Sequence, residues 1–319
     1  MAGAEPQIDL QNFSIPPAGS LDMDDLIDLY ESIRPWLPTP RPADTRRADR
    51  MGAVLDHVDA LLLDGFGVLN VGWDPIDGIH EFLETAAARG VALMVLTNGA
   101  GQRADATWQK YRGWDLPLAR NQVVSSRDAL AAEIDRLAAG KRLGVIGAGV
   151  RPFGRPDELT MNDPDRLFAE AECFAFLGSG DWQEADQSRL ESALRQPGRA
   201  LFVANPDIGA PLDGQFSTEP GYWAVRAMQA TGIRPQWFGK PHPVAFDIAL
   251  AQLQQVYDRP FARDRVAMVG DSLHTDVLGA SAAGLQSVLL TDYGLFRDGG
   301  AEAMIRRCGI APDWMIARL

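Results

Sequence analysis

Cysteine and histidine are scarce in this chain. Its 319 residues include two cysteines, Cys173 and Cys308, and four histidines. Two cysteines in so long a chain build neither a disulfide scaffold nor a tetrahedral thiolate metal site, so both are expected to be reduced thiols. Long apolar runs are missing too, and no stretch approaches the ~18 residues of a membrane-spanning helix. No basic segment feeds an apolar one at the N-terminus, so no signal peptide is expected and the protein is expected to be cytoplasmic. Positive charge is in deficit, with 30 Lys and Arg against 43 Asp and Glu, a net charge of -13. That balance argues against nonspecific binding to nucleic acid or to an anionic membrane. An acidic protein can still take an anionic substrate if a bound cation and a few local donors invert the field.

Core-forming material is plentiful, since hydrophobic residues make up 46 % of the sequence. The length suits one large domain or two ordinary ones. Residues 1–20 read as a loose arm, and "LDMDDLIDLYESIR" at 21–34 as a short helix with Leu21, Leu26, Ile27 and Tyr30 near one face. The acidic pair Asp22 and Asp24 follows no apolar strand, so nothing places it at a sheet edge. "PWLPTPRP" at 35–42 cannot hold a regular helix and reads as a strap, while 44–57 is expected to resume helical character. Then strands and helices alternate. "ALLL" at 60–63, the helical "GIHEFLETAAARG" and "VALMVLTNGA" at 91–100 form a βαβ unit, which implies a parallel sheet. "KRLGVIGAG", "ECFAFLGSG" and "ALFVANPD" repeat the pattern, and "RVAMVGDS" and "SVLLTDYG" supply two more continuous apolar runs, as expected of strands buried on both faces. Ligands of such sheets lie beyond the carboxyl ends of the strands. Asp64, Thr97, Asn98, Asn205, Asp207, Asp271 and Asp292 fall there.

Four stretches carry chemistry. In "LLLDGFGVL", Asp64 ends an apolar run, and Gly65 and Gly67 let backbone amides approach a ligand. The carboxylate suits a nucleophile, a metal ligand or a strand-end cap. In "VLTNG", the Thr97 hydroxyl with Asn98 and Gly99 could hold a phosphoryl oxygen, or simply close a turn. In "GKPHP", Lys240 sits between glycine and proline ahead of an amphipathic helix, a fixed point charge able to neutralise a carboxylate and a phosphate. In "VGDSLHTD", Asp271 and Asp276 flank a tight turn, a plausible site for a hard cation such as Mg²⁺.

Taken in order, these stretches resemble the four motifs of the haloacid dehalogenase-like (HAD) hydrolases, and more nearly the class IIA branch with its nucleotide, sugar and 4-nitrophenyl phosphatases. The resemblance covers roughly residues 58–300. It implies an α/β fold, a Rossmann-like core with a parallel sheet and a large inserted α/β cap of the C2 type. The core is then expected over 51–101 and 237–319, the cap over 102–236, and an arm, helix and strap over 1–50. By the same resemblance Asp64 is the nucleophile that forms an aspartyl-phosphate, Thr97 holds the transferring group and Lys240 orients the nucleophile. Mg²⁺ is implied as cofactor, held by Asp64, the backbone carbonyl of Phe66 and Asp271, with Asp276 supporting that shell. Gly65, Asn98 and Gly99 are expected at the phosphoryl group, and Asn205 and Asp207, in "ANPD", on the cap side of the substrate. A small phosphorylated substrate and a homodimer through the cap complete what the resemblance implies.

Phe66 departs from the pattern. The family has an aspartate there, which protonates the leaving oxygen and then activates water. A phenyl ring does neither, and losing such a group typically costs ~10²–10⁴-fold. Three readings stay open. The protein is a phosphatase that acts on a good leaving group or recruits another base, with His242, His274 and Asp292 as candidates. Or it binds a phosphorylated ligand with little turnover. Or it displaces halide without a metal, as dehalogenase members with an aromatic residue near this place do; Asp271, Asp276 and the cap resemble the phosphatases instead.

Overall fold

The computed structural model describes residues 9–147, 153–212 and 215–319. The first eight residues of the expected arm and the end of the "GVIGAG" segment lie outside that description. The strands of the two main sheets, numbered along the chain, are β1 (Arg46–Arg50), β2 (Ala60–Leu63), β3 (Ala92–Thr97), β4 (Val123–Ser125), β5 (Leu143–Ile146), β6 (Glu158–Thr160), β7 (Cys173–Phe176), β8 (Ala200–Val203), β9 (Gln236–Trp237), β10 (Val266–Gly270), β11 (Gln286–Leu290) and β12 (Trp314–Arg318). The helices used below are α1 (Met23–Ser32), α2 (Ile79–Ala88), α3 (Ala104–Gly113), α4 (Ser126–Leu137), α5 (Pro164–Glu170), α6 (Glu184–Leu194), α7 (Pro220–Thr231) and α8 (Pro243–Tyr257). They fall into two compact units. One comprises Pro38–Asp128 and Lys240–Leu319, and the other Ala129–Gly239 with the N-terminal segment up to Leu37.

The first unit is built on a seven-stranded sheet in the order β1-β12-β11-β10-β2-β3-β4. Every pairing in it is parallel. The side chains of β2 alternate between two cores. Leu61 and Leu63 join one with Phe82 and Leu83 of α2 and Tyr111 of α3, while Ala60 and Leu62 join the other with Phe246, Ala249 and Leu253 of α8. Helices on both faces explain why this strand reads as an unbroken apolar run. Leu63 pairs with Val95 on one side and Val269 on the other. Asp64 therefore emerges at the carboxyl edge between the ends of β3 and β10, with its amide still bonded to Val269 O at 2.9 Å.

Two sequence expectations change here. Residues 46–50 do not continue a helix. They pair in parallel with β12 as the edge of the sheet, and short 3₁₀ turns follow at Met51–Ala53 and Leu55–His57. The strand is charged and largely exposed, as an edge strand must be to discourage further pairing. Residues 102–128 group with the core, not with the inserted unit, because Val123 and Val124 pair with Val95 and Leu96. The proline-rich strap is tied to the same unit. Arg41 N donates to Ser281 Oγ at 2.7 Å, and its guanidinium donates to Leu285 O at 2.6 Å and Asp313 Oδ2 at 2.9 Å.

The second unit has a five-stranded, all-parallel sheet in the order β9-β8-β7-β5-β6, with α5, α6 and α7 among its helices. The N-terminal segment belongs to it. Asp22 caps α1 by accepting from Asp25 N at 2.8 Å, and Asp25 returns the bond to Asp22 N. Tyr30 Oη accepts from Ile208 N at 3.1 Å. Tyr222 Oη donates to Pro16 O at 2.7 Å, and Gln229 Nε2 donates to Leu10 O and Phe13 O. The described part of the arm is thus anchored by its own backbone. The two sheets together give the expected α/β class, a parallel Rossmann-like core with an additional α/β unit.

Candidate active site

The turn after β2 builds the first part of the site. Leu69 N and Asn70 N both donate to Gly65 O, at 2.8 and 3.0 Å, and Gly67 N donates to Asn70 O at 2.8 Å. This closed turn holds Asp64 at its mouth, where Asp64 Oδ1 accepts from Gly65 N at 2.7 Å. Gly67 cannot be replaced freely. Its φ is +74°, and a Cβ there would stand 2.5 Å from Asp271 Cγ. A Cβ on Gly65 would stand 2.8 Å from Tyr111 Oη and 3.4 Å from Thr97 Oγ1, so Thr97 lies directly beside the turn.

Lys240 joins the separate segments. Its ammonium lies 2.7 Å from Asp64 Oδ1 and 2.7 Å from Asp276 Oδ1, and the side chain is 1 % exposed. Asn98 fixes its backbone from both sides. Asn98 Oδ1 accepts from Lys240 N at 2.7 Å, and Asn98 Nδ2 donates to Lys240 O at 3.0 Å. Asp271 follows β10 directly, and Asp276 lies on the π-helical turn Leu273–Val277 that comes next. Asp276 Oδ2 accepts from Ser272 N at 3.1 Å, and Asp271 Oδ2 from Leu295 N at 2.9 Å. A side chain on Gly270 would run into the Asp276 carboxylate, and one on Gly294 into that of Asp271.

Three carboxylates, from Asp64, Asp271 and Asp276, therefore form one cluster with oxygens within 4.8 Å of one another, and the Lys240 ammonium pairs with two of them. Burial pushes Asp271 well above the usual carboxylate range, with the charges of Asp276 and Asp64 adding to it. Burial likewise raises Asp276 to about 6, against the pull of Lys240. Such a set carries more negative charge than its lysine offsets. Its all-oxygen donors fit a hard divalent cation such as Mg²⁺.

Thr97 Oγ1 accepts from Gly99 N at 3.1 Å, so "TNG" forms a side-chain-closed turn at the end of β3. The candidate replacements for position 66 are dispersed in character. His242 is half-buried, and desolvation pushes it down to about 4, which leaves a neutral imidazole. His274 is buried on the π-helical turn. Asp292 pairs with Arg318 at 3.3 Å on a partly exposed surface. Asn205 and Asp207 belong to the second unit, where Asn205 Oδ1 accepts from Asp207 N at 3.0 Å and Asn205 Nδ2 donates to Glu219 Oε2 at 3.2 Å. Burial raises the Glu219 carboxyl, and Ser217 Oγ donates to it at 2.7 Å.

Sequence reading passed over Asn70, Lys110 and Tyr111. The structure brings all three to the Asp64 turn, and Lys110 Nζ donates to Asn70 Oδ1 at 3.1 Å. The one signal was a lysine followed by an aromatic residue late in a helix. It is too common to point anywhere by itself.

Known proteins match both halves of this first unit. Residues 61–151 match the haloacid dehalogenase-like hydrolase family, and residues 237–317 a HAD-hydrolase-like family. An acid sugar phosphatase of Staphylococcus aureus is 24 % identical over 232 residues, covering 72 % of this chain and 85 % of the relative. A crystal structure described as a possible sugar phosphatase of the HAD superfamily, from Cytophaga hutchinsonii, superposes with a TM-score of 0.76 at 23 % identity, covering 86 % of this chain and 98 % of that one. A glycerol phosphate phosphatase of Mycobacterium tuberculosis in complex with magnesium superposes with a TM-score of 0.59 at 23 % identity, covering 75 % of this chain and 69 % of that one. The first sequence match runs from the core into the start of the inserted unit, the second begins at that unit's end, and the solved structures span both units. This chain has the fold of the HAD-superfamily hydrolases, and its matches lie broadly among their phosphatase-like members.

Proposed function

We propose that the protein is a Mg²⁺-dependent phosphate monoester hydrolase that acts through an aspartyl-phosphate on a small phosphorylated metabolite or an aryl phosphate. The observation that carries this reading is the buried Lys240 ammonium, 2.7 Å from both Asp64 and Asp276, with Asp271 in the same carboxylate cluster. Asp64 Oδ1 accepts from Gly65 N and faces Lys240, which leaves Oδ2 to attack phosphorus in line. As the bond from Asp64 to phosphorus forms, the bond to the organic oxygen breaks, and that oxygen takes the electron pair. Lys240 orients the Asp64 carboxylate, and Asn98 keeps Lys240 in place. The Thr97 hydroxyl and the amides near Gly65 and Gly99 stabilise charge on the transferring group. Water then releases phosphate from Asp64. Asp64, Asp271 and the Phe66 carbonyl would hold Mg²⁺, supported by Asp276. When bound, the ion supplies positive charge for the phosphoryl oxygens.

The acid sugar phosphatases among the relatives support sugar phosphates as the first substrates to try. The resemblance assigns Asn205 and Asp207 to the organic part of the substrate. Association into a homodimer belongs to the same reading, and a monomer mass by light scattering would remove it. Phe66 favours a second reading, ligand binding with little turnover, because no carboxylate stands at that position.

The test is phosphate release from 4-nitrophenyl phosphate and a panel of phosphorylated metabolites, with Mg²⁺ or EDTA. Turnover is expected in wild type with Mg²⁺ and lost in Asp64→Asn and in EDTA. Equal rates for wild type and Asp64→Asn on every compound would remove the hydrolase reading and leave the binding one.

A further inference from the structure

The turn that carries Phe66 also holds a lysine. Asn70 closes that turn, and its side chain is buried, with Nδ2 bonded to Gly72 O at 2.9 Å. Asn70 Oδ1 accepts from Lys110 Nζ at 3.1 Å. Lys110 stands on α3 immediately before Tyr111, whose buried hydroxyl packs against Gly65. The ammonium also lies 5.1 Å from the Tyr111 ring centroid and 5.2 Å from that of Trp114. The bond to Asn70 puts this cation on the turn that follows Asp64, close enough to feel the charge of that carboxylate.

Its bonding is incomplete. An ammonium has three N–H donors. Among the described residues Lys110 has one hydrogen-bond acceptor, a neutral amide, and no carboxylate at ion-pair distance. The side chain is partly buried, and burial lowers its proton affinity while the charge of Asp64 works the other way. A lysine placed this way in a protein of net charge -13 is not a solvated surface group. It has donors to spare and a proton held less tightly than usual, beside a position where a proton donor is missing.

We propose that Lys110 Nζ donates the proton to the leaving oxygen of the phosphate monoester, the task that Phe66 cannot perform. This inference rests on the phosphatase reading. As Asp64 bonds to phosphorus and the phosphorus–oxygen bond to the organic group breaks, the oxygen takes the electron pair and a proton from Nζ. An alcohol and a neutral amine result. In the second half the amine takes a proton from water as its oxygen bonds to phosphorus. The bond from phosphorus to Asp64 then breaks, its electron pair returns to the carboxylate, and the ammonium is restored.

A leaving-group series tests this with Lys110→Met and Lys110→Arg, on 4-nitrophenyl phosphate, phenyl phosphate and glycerol phosphate. Nitrophenolate leaves without help, so Lys110→Met should lose less than about 10-fold in kcat/KM there, and about 10²-fold or more on glycerol phosphate. Lys110→Arg keeps the charge but gives up no proton near neutral pH, so it should lose as much on glycerol phosphate while KM stays near wild type. Retained nitrophenyl activity doubles as proof of folding; Lys110→Gln replaces Lys110→Met if the latter does not fold. Equal losses across the series, or full recovery on glycerol phosphate by arginine, would overturn the assignment and leave Lys110 a binding or structural cation. Absence of Asp64-dependent turnover in wild type would overturn the phosphatase reading itself, and this inference with it.

Discussion

Replacing Lys240 by methionine removes the ammonium that pairs with the carboxylate cluster while keeping its length and most of its volume. The side chain is 1 % exposed, and its charge faces Asp64 and Asp276 at 2.7 Å each. Removing one partner of a buried pair typically costs ~3–5 kcal/mol, because the remaining charge stays buried and uncompensated. Asp276, already raised to about 6, relieves part of that cost by taking up a proton. The expected loss is therefore near the lower end, about 3 kcal/mol at neutral pH in EDTA. Hydrogen exchange of the β2 peptide reads it directly, since this strand sits between both cores of its unit. At ~1.4 kcal/mol per tenfold, exchange should be roughly 10²-fold faster in the variant. Mg²⁺ should restore protection in the variant more than it adds to wild type, because it meets a larger uncompensated charge there. Exchange within about threefold of wild type in EDTA would refute the reasoning, because an uncompensated cluster must cost more than that.

Further consequences are specific. Gly67→Ala should strain a φ of +74° and push a methyl towards Asp271. That conformation costs about 1–3 kcal/mol, and Mg²⁺ affinity by calorimetry should fall about tenfold or more; unchanged affinity would show that Asp271 is not a ligand. His242 is held at about 4 instead of 6.5 by burial. On acidification the unfolded chain takes up that proton first, so stability should fall from about pH 6.5 towards pH 4, by about 3 kcal/mol in full. Denaturant titrations of His242→Asn should lack that part of the pH slope, and identical slopes would contradict the assignment. In the Lys110→Met background, Phe66→Asp should restore hydrolysis of alkyl phosphates about 10²-fold, because backbone bonds hold the turn whatever the side chain. No gain, in a variant that still cleaves 4-nitrophenyl phosphate, would count against the role given to that position.

Local pattern made most of the core legible. The apolar runs before Asp64, Thr97 and Asp271 read as strands of a parallel sheet, and the structure places all three residues at one sheet edge. The edge strand at 46–50 was not legible. Its charged residues carry no strand pattern, and its partner, β12, lies at the far end of the chain. The lower edge of the inserted unit was misplaced because β4 is three residues long, too short to signal a return to the core sheet. Lys110 escaped notice for a related reason. Its acceptor Asn70 is 40 residues away, and only the folded α3 brings the two together. Asn98, by contrast, was legible as a strand-end polar residue. Its grip on the Lys240 backbone could not be read without the fold.

The most direct test of the central claim is to find the phosphoryl group on Asp64. Enzyme turning over 4-nitrophenyl phosphate with Mg²⁺ would be quenched in acid, digested, and the peptide carrying Asp64 weighed. A good leaving group makes the first step fast, so water attack should be slow enough for the phosphorylated peptide to accumulate. The account predicts a phosphoryl mass increment on the Asp64 peptide, absent in Asp64→Asn and in EDTA. Phosphate release at a wild-type rate from Asp64→Asn, or a phosphoryl group on any other residue, would contradict it.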